Sequence, residues 1–153
     1  MSETPTATDR TEAVRALEGE FSELFTHVRR LLAENAQQLS PGMLPGAYKV
    51  FTTIARREAI TLSALAETLH SDKGQMSRAV RELEGLGLVT RTPDPEDGRS
   101  SLLSATPEGL DRLRAVRAPR EHMLSSALER WDVDDIRELT RLLHALSQSA
   151  DLA

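Results

Sequence analysis

Ser71-Asp72-Lys73-Gly74-Gln75-Met76-Ser77-Arg78-Ala79-Val80-Arg81-Glu82-Leu83 is the most informative segment of the chain. Ser71 is of an N-cap type, its side-chain oxygen able to accept a free backbone N–H of the first turn, and it predicts a helix over 71–83. At about 100° per residue, Met76, Ala79, Val80 and Leu83 fall in one apolar stripe. Gly74, Arg78 and Arg81 lie roughly opposite, flanked by Gln75 and Ser77, and no acidic residue interrupts the outer face between Lys73 and Arg81. Arginine can pair bidentately with guanine and glutamine with adenine, while serine can bond phosphate or a base edge. Gly74 costs about 1 kcal/mol against alanine inside a helix. In the first turn its missing side chain would let the backbone approach a phosphate or base closely. A solvated amphipathic helix accounts for these residues equally well, so the helix alone leaves both readings open.

The following residues favour nucleic acid. Gly87 is placed to take a left-handed conformation after the last turn. Residues 89–92 and 101–105 read as short strands flanking Pro93-Asp94-Pro95-Glu96-Asp97-Gly98, a run of turn formers. Arg99, just beyond, can lie in a neighbouring minor groove, where narrow A·T-rich DNA concentrates negative potential. Asp97 could pair with Arg99 and fix its direction, a supporting role in the wing.

With those residues in view, the chain resembles the MarR family of winged-helix transcription regulators. The likeness runs through Thr61-Leu62-Ser63-Ala64-Leu65-Ala66, Asp72-Lys73-Gly74-Gln75-Met76-Ser77-Arg78 and Leu83-Glu84-Gly85-Leu86-Gly87-Leu88-Val89. It continues through Asp94-Pro95-Glu96-Asp97-Gly98-Arg99 and Thr106-Pro107-Glu108-Gly109. The aspartate-any-arginine signature from Asp97 to Arg99 is its most specific piece, and Ala105, where the family usually carries leucine, is a departure. The resemblance implies a mainly α fold with a small β-hairpin wing, a winged helix-turn-helix flanked by N- and C-terminal dimerisation helices. It also implies a homodimer on a pseudo-palindromic double-stranded operator, acting as a repressor released by a small aromatic or phenolic effector. Ser71, Lys73, Gly74, Gln75, Ser77, Arg78, Arg81 and Arg99 are the expected DNA-binding residues; no pattern marks a ligand pocket.

The rest of the chain fits around this centre. At 153 residues it is long enough for one compact domain with a real core. Residues 1–8 are expected to be a disordered tail, 9–38 and 107–150 a helical dimerisation region, and 45–106 the winged helix-turn-helix. The apolar stripe Val14, Leu17, Phe21, Leu24, Phe25, Val28, Leu31, Leu32 is longer than one small domain needs, so part of it is expected to meet a second chain. An ordinary core helix with a solvated back is the competing reading. Pro45 should start a second helix ending near Arg56 and Arg57, which either touch phosphate or form a solvated helix end. Thr61 or Ser63 caps a short supporting helix and Thr106 caps a later one, which Pro119 should break before it resumes to Trp131. A last helix from Asp132 carries Ile136, Leu139, Leu142, Leu143 and Leu146.

Composition narrows the function classes. There is no cysteine, which removes disulfides, thiolate metal sites and thiol-based sensing. No segment has the length and apolarity of a membrane span or a signal peptide, so no membrane partner is expected and a cytoplasmic location is. The histidines His27, His70, His122 and His144 lack partners at ligand spacing, and Asp132, Asp134 and Asp135 read as helix capping rather than a calcium loop. No nucleophile motif, phosphate loop or acid/base pair compels catalysis, so neither enzyme activity nor a cofactor is expected. The net charge of −5 supports a second reading, a helical protein-interaction module that no longer reads DNA. The basic and polar face from Lys73 to Arg81 opposes it, because charge distribution governs polyanion binding more than the sum does.

Overall fold

The computed structural model describes residues 7–149. In chain order these are α1 (Ala7–Leu39), α2 (Pro45–Arg57), β1 (Ile60–Thr61), α3 (Leu62–Thr68), α4 (Lys73–Gly85), β2 (Val89–Pro93), β3 (Ser101–Ala105) and α5 (Pro107–Arg117). A 3-10 turn (Ala118–Arg120), α6 (Met123–Leu128) and α7 (Val133–Ser149) complete the chain. Of the expected tail 1–8, residues 1–6 lie outside the described residues, whereas Ala7 and Thr8 belong to α1. Residue 150, the end of the second dimerisation segment, also lies outside them. The elements divide into two compact units, one ending at Val116 and the other beginning at Arg117.

The first unit is built on α2. Phe51 and Ile54 from this helix are fully buried together with Met43, Leu65, Val80, Leu83, Leu88 and Leu103. Pro45 opens α2 as expected, where its missing N–H costs nothing. The Gln37 side chain closes the preceding turn, its oxygen accepting from Gly42 N–H at 3.0 Å and its nitrogen donating to the Met43 carbonyl at 3.4 Å. Only the C-terminal end of α1 is buried, at Asn35, Ala36 and Leu39. Val14, Leu17, Leu24, Phe25 and Val28 remain exposed, and Phe21 and Phe25 stack with ring centroids 5.9 Å apart.

The sheet has three strands in the order β1-β3-β2, all antiparallel, where the sequence predicts only a hairpin. The extra strand arises from a very tight reversal after α2. Ala59 N–H donates to the Arg57 carbonyl at 2.7 Å across Glu58, which has φ 61° and ψ −55°. That is a γ-turn of the rarer hand. It brings Ile60 opposite Leu103 and Thr61 opposite Leu102. Two residues are too few to display a strand's alternation. Thr61 then caps α3, its hydroxyl accepting from Ala64 N–H at 3.2 Å.

In the second unit Pro119 does interrupt the helix. The segment after it ends at Leu128 rather than at Trp131, whose N–H donates to the Leu128 carbonyl at 2.9 Å. Asp134 and Asp135 sit in the first turn of α7, where carboxylates oppose the positive end of the helix dipole. Further along, hydrogen bonds from Arg141, reinforced by its charge, hold the Glu138 carboxyl below its ordinary range. Leu139, Leu142, Leu143 and Leu146 line an exposed apolar face of α7. Among the described residues no helix is long and apolar enough to cross a membrane.

Candidate nucleic-acid interface

The position of α4 is set at both ends by backbone geometry. At its start, His70 takes the left-handed conformation (φ 49°) and closes α3 in a Schellman motif. Ser71 N–H donates to the Ala66 carbonyl and His70 N–H to that of Glu67. Ser71 is thereby committed to the end of α3, and its hydroxyl donates to the Leu69 carbonyl at 3.2 Å. The cap of α4 is therefore Asp72, not Ser71 as expected: Asp72 Oδ1 accepts from Gln75 N–H at 2.9 Å. The helix accordingly runs over Lys73–Gly85 instead of 71–83.

At the other end the same motif recurs. Gly87 is left-handed (φ 72°), its N–H donates to the Glu84 carbonyl, and Leu88 N–H donates to that of Leu83. Leu83 and Leu88 are both fully buried, the apolar contact that accompanies this motif. The wing therefore leaves α4 in a direction set by one glycine and one core pair. Thr106 ties the wing's return to the same place, donating its N–H to the Leu88 carbonyl at 2.9 Å and its hydroxyl to that of Gly87 at 2.6 Å. Its hydroxyl also accepts from Gly109 N–H at 3.0 Å, so it caps α5 as expected.

Between these ends, Met76, Val80 and Leu83 are buried and Ala79 half-buried, as the stripe requires, and α4 packs on α2 and α3. Lys73, Gly74, Gln75, Arg78 and Arg81 are exposed; Ser71 and Ser77 are half-buried. Among the described residues no ion pair engages Lys73, Arg78, Arg81 or Arg99. A Cβ on Gly74 would stand 3.0 Å from Asp72 Oδ1, so the cap itself supplies a local reason for glycine there.

The wing pairs Val89 with Ala105 through to Pro93 with Ser101. In its turn Asp94 N–H donates to the Ser100 carbonyl, and Ser100 N–H to that of Asp97. Contrary to the side-chain pairing that the sequence suggests, no Asp97–Arg99 ion pair forms among the described residues. Asp97 Oδ1 instead accepts from the Arg99 backbone N–H at 3.0 Å, because a carboxylate two residues upstream reaches the main chain in an Asx turn. Arg99 is exposed, and its guanidinium keeps its donors.

Glu84 and Arg91 escaped the sequence reading. Arg91 Nε lies 3.0 Å from Glu84 Oε1 and Nη2 3.3 Å from Oε2, a two-point contact from the last turn of α4 to β2. Two opposite charges across a turn carry no periodic signal in the sequence. The arrangement offers a helix face of cationic and amide donors with a further guanidinium beyond a hairpin turn, a set suited to polyanionic duplexes.

Comparison with known proteins agrees with this geometry. The MarR family model matches residues 45–101. An uncharacterised HTH-type transcriptional regulator of Mycobacterium bovis is 34% identical over 98 residues, 62% of this chain and 68% of that protein. The transcriptional repressor MprA of Escherichia coli K12 is 30% identical over 136 residues, 84% of this chain and 77% of its own. Among solved structures, a mutant MarR of E. coli complexed with operator DNA superposes with TM-score 0.62 at 27% identity, covering 84% of this chain and 91% of that one. The FabT–DNA structure from Streptococcus pneumoniae shares the fold at 17% identity, with TM-score 0.79 over 88% of this chain and 95% of the other. A helix-turn-helix, a hairpin wing in a three-stranded sheet and relatives of this length and identity lead to one conclusion: the chain belongs to the MarR family of transcriptional regulators.

Proposed function

We propose that two copies of this chain bind a pseudo-palindromic duplex, each laying α4 in a major groove and Arg99 in the flanking minor groove. The observation that carries the reading is the outer face of α4, where Lys73, Arg78 and Arg81 are exposed and none is ion-paired among the described residues. Cations with no internal partner are placed for an external one. In this reading Arg78, Arg81 and Gln75 read base edges. Lys73 and Ser77 approach phosphate, Ser71 does so by giving up its hydroxyl's bond to the Leu69 carbonyl, and Gly74 permits close backbone approach. Asp97 shapes the wing turn that presents Arg99.

Segments 9–38 and 107–150 would form the dimer and 45–106 the reading domain. Support for a second copy comes from Val14, Leu17, Leu24, Phe25 and Val28 on α1 and Leu142, Leu143 and Leu146 on α7, each more than two-fifths exposed. Fully burying such a side chain contributes about 1.5–3 kcal/mol, a large gain to forgo in water. A small aromatic anion is the proposed effector. The cleft that suits it, about 520 Å³, is lined by Gln38, Leu39, Pro41, Arg112, Ala115 and Val116. In this open, half-polar cleft Leu39, Pro41, Ala115 and Val116 supply the apolar contacts for a ring, and Arg112, now paired with Glu108, could exchange that partner for the ligand's carboxylate or phenolate. Such a ligand would act as a releasing agent by preferring the conformation that fits DNA poorly, a coupling of about 1–3 kcal/mol.

The test is electrophoretic titration of the wild type, Arg78→Ala and Arg99→Ala against duplexes selected from a randomised pool. Arg78→Ala is expected to cost about 1–3 kcal/mol if the contact is bidentate, and Arg99→Ala to weaken binding chiefly at A·T-rich flanks. Unchanged affinity in both variants would remove the reading surface.

A further inference from the structure

Glu84 stands in the last turn of α4, where the helix carbonyls concentrate partial negative charge and a carboxylate is disfavoured. Its neighbour in that turn, Glu82, is acidic too, and no basic residue offsets them there. What Glu84 does have is Arg91, held by two N–H···O contacts to separate carboxylate oxygens at 3.0 and 3.3 Å. The two side chains are 29% and 34% exposed, so the pair is partly withdrawn from water but not desolvated. Among the described residues it is the one ion pair that joins α4 to the sheet.

Its place in the sheet gives it leverage. Arg91 sits at the middle of β2, opposite Leu103 of β3, and the same ladder continues to Pro93 opposite Ser101 before the turn that carries Arg99. The base of the wing is fastened by Leu88, Gly87 and Thr106, which set where it starts. Beyond that base β1 backs β3 at Leu102 and Leu103 only, so past Thr92 the pair Pro93–Ser101 and its turn run on as a two-stranded ribbon, and ribbons of this kind twist easily. A bidentate fork is geometrically specific, so it restricts that twist relative to the helix.

Resting on the DNA-binding reading above, we propose that Glu84 and Arg91 are positioning residues for recognition: their pair fixes the angle between α4 and the wing, so that Arg99 engages the minor groove in register with Arg78 and Arg81 in the major groove. The pair touches no base in this scheme. It converts two independent contacts into one that is sensitive to sequence at both places.

The experiment is a double-mutant cycle on the full chain, read as affinity for a duplex selected by the wild type and for a scrambled duplex of the same length. Glu84→Gln keeps shape and removes charge. It should lower affinity for the selected duplex about fivefold, in keeping with a partly exposed pair, and leave the thermal midpoint nearly unchanged. Affinity for the scrambled duplex should not fall. In the Glu84→Gln background, Arg99→Ala should cost much less than it does in the wild type, because the wing is no longer held in register. The reversed pair, Glu84→Arg with Arg91→Glu, should restore most of the lost discrimination. If Glu84→Gln and Arg99→Ala are strictly additive, or if the reversed pair binds the selected duplex no better than Arg91→Glu alone, the inference is overturned; the second outcome would make Arg91 itself a phosphate contact. A wild type that prefers no duplex overturns the DNA-binding reading instead, so the two failures are distinguishable.

Discussion

Replacing Gly109 with alanine would put a Cβ 2.6 Å from the Leu88 carbonyl oxygen and 3.1 Å from Phe51 Cζ, against groups that cannot move cheaply. Overpacking of this kind costs about 1–3 kcal/mol, and a calorimetric or denaturant measurement on Gly109→Ala should find a loss in that range. The glycine of the Thr106-Pro107-Glu108-Gly109 signature is thus explained by helix packing against the wing base. At the start of α4 the choice between Ser71 and Asp72 separates two accounts of the cap. Asp72→Ala should destabilise by about 1 kcal/mol through the lost bond to Gln75 N–H. Ser71→Ala should stay within about 0.5 kcal/mol. Both residues are of capping type, and the sequence could not decide between them. The decision rests on His70 turning left-handed, an uncommon conformation for a non-glycine residue that the neighbouring sequence does not announce. Asp97 illustrates the same point, since side-chain proximity in sequence does not say whether a carboxylate will find a guanidinium or a backbone N–H.

At the scale of elements, long periodic segments were readable and short ones were not. The core stripe of α4, the two wing strands, the proline start of α2 and the break at Pro119 all follow from local chemistry repeated over several residues. β1 did not, because two residues joined to α2 by a γ-turn depend on β3 for their definition. The exposed face of α1 makes a prediction at this scale. Leu17→Glu combined with Phe25→Glu should leave the helix content of the fold intact, since neither residue belongs to the buried cluster. Sedimentation should then find a monomer where the wild type sediments as a dimer, and affinity for a two-half-site duplex should fall to that of one half-site. A wild type already monomeric, or a variant still dimeric, would separate this face from assembly.

For the whole molecule, a net charge of −5 and a DNA-binding role are compatible because Lys73, Arg78 and Arg81 are exposed together on α4 with no ion pair among the described residues, and the local field rather than the sum meets the duplex. The consequence is a steep salt dependence. With the cations Lys73, Arg78, Arg81 and Arg99 of each of two copies entering the field of the duplex and displacing its counterions, the logarithm of the binding constant should fall with a slope of about −5 to −7 against the logarithm of salt concentration. Arg78→Ala should change sequence preference more than slope, whereas Lys73→Ala should reduce the slope by about one per copy with little change in preference. Whether two copies read one duplex through α4 and the wing is decided by sequencing the duplexes that the full chain retains from a randomised pool. Two inverted half-sites, centred about 34 Å apart and flanked by A·T-rich steps, are predicted. Retention of no preferred sequence, or of a single unpaired half-site, would contradict the two-copy reading.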